Sequence, residues 1–421
     1  MLYLLGLILL SGIVFALQDF RRHFLLLFLL INYFIYFFLG PLNSINRNMW
    51  THLKADFRGG FEDTVMIYTI GIASMLLGYL FMYVFTDAKR RNRAVYTLNP
   101  KYPFYMWFFF LSLVLMIFRN VSEGVYGGGF YNYLVFLGDS LILAFIILIY
   151  EKKFNRPWHW FILGAAIFCY LILGFRYRIL LLIIGVLYHF LVTNRLSLAS
   201  LVRWVVIGIS IAYTINFITV NREALSTLNF NEVTFESDTY GNLSPYQLML
   251  HQTDNYKTEM MVMQYMNRNH IEYDYGESMF LHIFIRIIPA SFFEGGVKPS
   301  IPQLEIIKNS FGTKAGYFAG AAVSNVTEYY IAFGKAGVVF FMLLLGGGLG
   351  YISKRTDLEV PRDRVVIVMI AMVLFQESTR GYLPQNVTLL VFLLITLQLF
   401  YRKKYVSYRY QYPHAVQDRI L

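Results

Sequence analysis

The residues able to do chemistry in this sequence are few, and they stand at the edges of apolar runs. The stretch "LGFRYRILLL" (173–182) sets Arg176 and Arg178 between two such runs. Arg119, Arg222, Arg286 and Arg380 occupy comparable positions, the last in "ESTRGYLP". A guanidinium is planar and permanently charged, and its fork matches a phosphate or pyrophosphate in bidentate fashion. The plainer use is snorkelling, in which each arginine reaches a lipid headgroup. Two arginines in one tight tip favour an anion site over that. Backbone form matters here: in an extended tip, residues two apart point the same way, whereas in a helix they diverge by about 200°.

Acids are scarcer. Glu328 in "SNVTEYY" precedes a long apolar run, Glu377 closes another, and Asp139 in "LGDS" lies about two turns inside a third. Carboxylates at such depth are costly, so each is a candidate proton acceptor. Each also has a structural use: Glu377 and Arg380 have the spacing of a local ion pair, and Asp139 can serve a polar contact between helices. His282 and Arg286 share a helical face at i, i+4, where a single histidine is more often a hydrogen-bonder than a base. As a general base Glu328 ranks first, because it stands where the chain returns to an apolar run. Glu377 ranks second, since Arg380 would hold it ionised and weaken it. His282 ranks third.

The elements that must position these groups are apolar helices. The chain of 421 residues is 57% hydrophobic and only 14% charged, too little charge for an ordinary soluble surface. The expected fold is therefore all-α, a polytopic membrane bundle. Eleven spans are expected, roughly 2–17, 24–39, 64–85, 104–118, 134–150, 158–174, 179–192, 202–220, 332–352, 365–375 and 387–401. Lysine and arginine gather around residues 21–22, 89–101, 152–156, 195–203 and 354–364 and in the tail 402–421. Eleven spans put all six segments on one side, the cytoplasm, giving an N-out, C-in chain. Because the loops flanking 158–192 are both basic, that stretch is a hairpin whose tip at 175–178 faces outside. The N-terminal apolar run has no basic residue before it and is expected to be retained rather than cleaved.

The division is then 1–220, an eight-helix bundle; 221–331, a large extracytoplasmic loop with a membrane-dipping helix near 279–293; 332–401, three further spans; and a basic tail. "GGGLG" (346–350) has no phosphate-loop context and is expected to let helices pack closely. No HExxH or similar metal spacing occurs, the single Cys169 cannot form an internal disulfide, and no nucleic-acid motif accompanies the net charge of +11.

The architecture, the arginine-bearing tip, "RIIPASFFEGGVKPSIPQLE" and "AGAAVSNVTEYYIAFGKAGVVFF" together resemble the Wzy-type oligosaccharide repeat-unit polymerases, which build O-antigen, capsule and enterobacterial antigen. The likeness covers most of the chain as architecture and is specific around 174–178 and 286–337. At the tip the chain departs from the family, which often carries smaller residues beside the arginine. The resemblance implies a metal-independent glycosyltransferase without cofactor, working at the periplasmic or extracellular face of the cytoplasmic (inner) membrane. Donor and acceptor would be polyprenyl-diphosphate-linked oligosaccharides, such as undecaprenyl diphosphate carriers. A flippase and a chain-length regulator would be partners, and nucleic acid would not. Arg176, Arg178, Arg286, Arg380 and Lys298 would hold the pyrophosphate, and Glu328, Glu377 or His282 would take the acceptor's proton. The competing classes are a ligase of the same superfamily, a lipid-linked-sugar flippase or other transporter, and a membrane acyltransferase. The last would want a deep histidine with a partner, which His189 lacks in sequence.

Overall fold

The computed structural model describes residues 1–52, 55–87, 95–123, 130–173, 176–193, 206, 210, 217, 221, 254–288, 292–312 and 322–404. Its helices are α1 (Leu2–Gln18), α2 (Phe24–Tyr33), which runs through a π turn into α3 (Gly40–Arg47), α4 (Phe61–Phe85), α5 (Tyr102–Glu123), α6 (Phe130–Tyr150), α7 (Pro157–Ile172) and α8 (Arg176–Thr193). After these come α9 (Asn255–Asn269), α10 (His282–Ile287), α11 (Pro302–Ser310), α12 (Asn325–Arg355), α13 (Pro361–Arg380) and α14 (Leu383–Phe400). The described strands form two small antiparallel ladders, β1 (Thr51–His52) with β2 (Ala55–Asp56) and β3 (Val95–Leu98) with β4 (Tyr401–Lys404).

The chain is helical and apolar as its composition requires. Five stretches, 24–47, 58–85, 133–150, 325–355 and 383–400, are long and apolar enough to cross a membrane, and four shorter apolar helices accompany them. Their outward side chains are large hydrophobics, among them Tyr3, Leu7, Leu77, Phe81, Phe104, Phe161 and Phe340. Such a surface suits hydrocarbon and would be unsupportable in water. The expected span over 202–220 falls almost wholly outside the described residues, as does most of the first half of the long loop.

Two expected boundaries are corrected. The span expected at 332–352 begins at Asn325, which places Glu328 inside the first turns of α12 rather than ahead of it. The span expected at 365–375 runs from Pro361 to Arg380, so Glu377 and Arg380 both lie in the last turns of α13. Proline at the first helical position starts α7 and α13, and Pro384 is the second residue of α14, where the missing N–H costs no bond. The dipping helix is also shorter than expected. A π turn (Glu277–Leu281) leads into α10, which stops at Ile288 because Pro289 forces the residue before it into extended backbone. Its apolar side chains Phe280, Leu281, Phe284 and Ile288 stay exposed, as an element lying on a membrane requires.

The glycine run packs helices, as expected. α4 and α12 run parallel in contact along their length. A Cβ at Gly346 would strike the Met75 carbonyl, one at Gly350 the Tyr79 carbonyl, and one at Gly78 the Leu343 carbonyl. Only hydrogen at those positions lets the two backbones approach so closely.

α7 and α8 form the expected hairpin. Tyr170 Oη donates to the Gly138 carbonyl (2.8 Å) and Tyr150 Oη to the Gly185 carbonyl (2.7 Å), so both lie against α6 but run in opposite directions. The described basic segments collect at one end of the bundle. Arg22 hydrogen-bonds Tyr83, whose ring also lies 4.6 Å from Lys354 Nζ. β3 pairs with β4, Tyr401 Oη donates to Glu151 (2.9 Å), and the Arg362 guanidinium stacks 4.0 Å over Tyr96. The groups picked out for chemistry lie at the opposite end.

Candidate functional site

At that opposite end three helix termini and a loop converge. The turn between α13 and α14 is decisive. Gly381 (φ +53) and Tyr382 (φ 62) both take left-handed backbone, and a Cβ at Gly381 would press on the Val323 and Ser324 carbonyls. The turn therefore sits flat against the start of α12 and aims the Leu383 N–H at Glu328 Oε1 (2.8 Å). Glu377, one turn before that glycine, accepts a hydrogen bond from Tyr329 Oη (3.0 Å) at Oε1 and one from the Asn386 amide at Oε2. Asn386 also donates to the Gly381 carbonyl (2.8 Å), which locks the turn from within.

Two carboxylates, Glu328 and Glu377, are thus buried side by side, at 1% and 6% exposure, and the Glu377 charge acts on Glu328. Only neutral donors hold them. Glu377 has both oxygens occupied, whereas Oε2 of Glu328 is buried without a hydrogen-bond partner. Leaving such an atom unpaired costs about 1–3 kcal/mol, and an unsatisfied acceptor is what a base needs before it takes a proton.

Arg286 closes the arrangement from the loop. Its guanidinium hydrogen-bonds Tyr382 and stands 5.8 Å from that ring and 5.6 Å from the ring of Phe136. Lys298, expected as an anion ligand, is otherwise engaged. Its Nζ donates to the Ile285 (3.1 Å) and Arg286 (2.8 Å) carbonyls, capping the C-terminus of α10 and fixing the arginine that precedes the cap. Burial and the neighbouring Arg286 charge hold the Lys298 amine below its usual range.

The remaining expected residues are placed differently. Arg178 is 1% exposed, and its Nε donates to Asp139 Oδ1 (2.6 Å) while Nη2 reaches Oδ2 (3.3 Å) and the Val135 carbonyl (3.4 Å). Tyr177 adds a hydrogen bond to the same carboxylate. This is a buried ion pair, so Arg178, expected as a substrate ligand, is engaged with Asp139 through Nε and Nη2 instead. α8 begins at Arg176, so the backbone at 176–178 is helical and not the extended form that would turn both arginines the same way; the Arg176 side chain is outside the described parts, as is Arg222. Arg380 is exposed and forms no ion pair with Glu377, whose partners are Tyr329 and Asn386; its charge is felt instead by Tyr177. His282 is buried against the Ser300 backbone, with Glu277 and Asp274 as charged neighbours. Burial pushes its imidazole below the usual range, and its Nε2 is buried without a hydrogen-bond partner.

Glu259, on α9, did not stand out in the sequence. It is 1% exposed and accepts four hydrogen bonds: from Tyr68 Oη (2.6 Å), Thr327 Oγ1 (2.6 Å), Ser324 Oγ (3.0 Å) and the Ser324 N–H (2.8 Å). It caps α12 from outside and so sets where Glu328 stands. Burial pushes its carboxyl up, and the bonds from Thr327, Tyr68 and Ser324 pull it back. The available signal was one acid inside the methionine-rich face of "TEMMVMQYM". Among the described residues, no three His, Cys, Asp or Glu side chains assemble as a metal site would need. No family model, curated protein or solved structure matches the chain.

Proposed function

We propose that the protein is a membrane glycosyltransferase that polymerises polyprenyl-diphosphate-linked oligosaccharide repeat units at the outer face of the cytoplasmic membrane, in an eleven-span, N-out, C-in chain. One observation carries the reading. A buried carboxylate with an unpartnered oxygen, Glu328 Oε2, stands beside a second acid and an arginine–tyrosine pair, at the end of the bundle opposite the basic segments. By the bias of basic residues toward the cytoplasm, that end is the outer one.

The chemistry follows from these groups. The acceptor sugar hydroxyl attacks the anomeric carbon of the donor. A carbon–oxygen bond forms there while the bond to the lipid diphosphate breaks, and its electron pair leaves with the diphosphate. Glu328 Oε2 takes the hydroxyl proton. Arg286, held by Lys298 and Tyr382, faces the charge that grows on the leaving group. Glu377 holds Tyr329 and Asn386 in place beside Glu328.

A ligase of the same superfamily would use the same groups, and a lipid-linked-sugar flippase would use the arginines without the base. Deleting the gene and resolving surface glycan by size separates them. Single-repeat glycan supports the polymerase, whereas loss of all surface repeats supports ligase or flippase. An unchanged ladder would overturn the reading.

A further inference from the structure

The basic end of the bundle holds a second feature, independent of the site above. Arg364, in the first turn of α13, is 8% exposed, yet its side chain has neither an ion-pair partner nor a hydrogen-bond acceptor among the described residues, and its Nε is a buried orphan. A buried guanidinium left alone is among the costlier states a side chain can occupy. It does not stand alone in charge. Arg362, two residues earlier, also has a buried Nε without an acceptor and stacks on the Tyr96 ring. The Arg364 guanidinium lies 5.7 Å from the Tyr150 ring, and His189 stacks on that ring at 4.5 Å with its Nδ1 also orphaned. Arg364 and Lys152 are both close enough for their charges to act on His189. The acid nearby, Glu151, is held by Tyr401 Oη and makes no ion pair with either arginine. The N-terminus of α13, a twenty-residue helix with no side-chain cap, opens beside this group and adds its own partial positive charge.

Orphaned nitrogens gather here from α8 and α13, with the Lys152 charge beside them, and among the described residues no carboxylate pairs with Arg362 or Arg364. We propose that Arg364, with Arg362, His189 and Lys152, binds a phosphate group at the basic face, supplied by the headgroup of an anionic phospholipid of the adjoining leaflet. The location favours a lipid: the groups sit at the ends of apolar helices, where headgroup phosphates lie, and a phosphate offers the bidentate acceptor that two guanidiniums lack.

Native mass spectrometry of the full chain released from nanodiscs tests this. Phosphatidylglycerol should be retained from mixed bilayers where phosphatidylcholine is not, and Arg364→Gln should cut retention at least about tenfold, the loss of a charge-assisted contact. Lys152→Gln, at an exposed position, should weaken retention while leaving the fold intact, and it reads the same site if the Arg364 variant does not fold. Inorganic phosphate that protects the wild type against thermal unfolding, but not these variants, would assign the same site to a soluble phosphate instead of a lipid. Equal phosphatidylglycerol retention by the wild type and Lys152→Gln, with no phosphate effect, would overturn the proposal. None of these readouts depends on glycan synthesis, so the proposed polymerase activity stands or falls separately.

Discussion

Arg178 and Arg286 enter the same end of the bundle and end in opposite states. Arg178 meets Asp139 in a bidentate pair closed further by Tyr177, with almost no exposure. Arg286 meets no acid. It rests on Tyr382 and Phe136, half-buried, while the two nearby carboxylates are held by neutral donors. The first arrangement commits Nε and Nη2 of its guanidinium to one carboxylate, and the second sets a cation that meets no acid beside an open carboxylate oxygen. What separates the two is whether the arginine has an acid to itself, and neither charge nor depth decides it.

The sharpest way to break this contrast is at the open oxygen. Glu328→Gln keeps the size and the bond to Leu383 but removes the basic oxygen. Chain-forming activity should fall about 10²–10⁴-fold with normal protein levels, measured as accumulation of single-repeat glycan. Wild-type chain lengths would remove Glu328 from the chemistry. At the closed pair the effect should be on stability instead. Arg178→Met, which strands Asp139, should cost about 3–5 kcal/mol in thermal or denaturant unfolding in detergent, and Arg178→Met with Asp139→Leu should recover most of it. If the single variant unfolds like wild type but loses activity, the pair is functional and the contrast fails.

Arg286→Lys keeps the charge and loses the planar fork, so activity should drop about tenfold while the melting temperature holds. The smallest effect belongs to His282. Burial lowers its proton affinity in the folded protein, so the unfolded chain binds the extra proton, and stability is full above about pH 6.5 and declines as pH falls below it. Melting curves between neutral and mildly acidic pH should show that decline, and His282→Gln should flatten it. An unchanged slope would place the acid sensitivity elsewhere.

The helices themselves were legible in the sequence because membrane spans announce themselves through long uncharged runs. The ends were not. α13 continues through Gln376, Glu377 and Ser378, a polar stretch that looks like loop until Tyr329 and Asn386 are brought to it from other helices. α12 begins seven residues earlier than its apolar run, since Glu259, 65 residues upstream of Ser324, supplies the cap. Glu328, Glu377 and Arg286 could be picked out singly, as rare ionisable groups beside spans. Their grouping depends on the left-handed turn at Gly381–Tyr382, which no local pattern specifies. The Arg178–Asp139 pair joins residues 39 apart, so Arg178 read as open when it is paired.

α12 changes character at Gly334, where the backbone leaves the helical region (φ 67, ψ −157) with the Tyr273 ring packed against the space a Cβ would fill. Below the break, glycines weld the helix to α4. Above it, the two turns carrying Glu328 are fastened by Glu259 and by the Asp274 N–H to the Ile331 carbonyl (3.1 Å), both belonging to the loop. Glu328 thus answers to two frames: the loop fixes the turns it stands on, while the turn between α13 and α14 holds its Oε1 through the Leu383 N–H. Any shift of the loop against that turn changes how the carboxylate is aimed, without disturbing the glycine-packed part of α12.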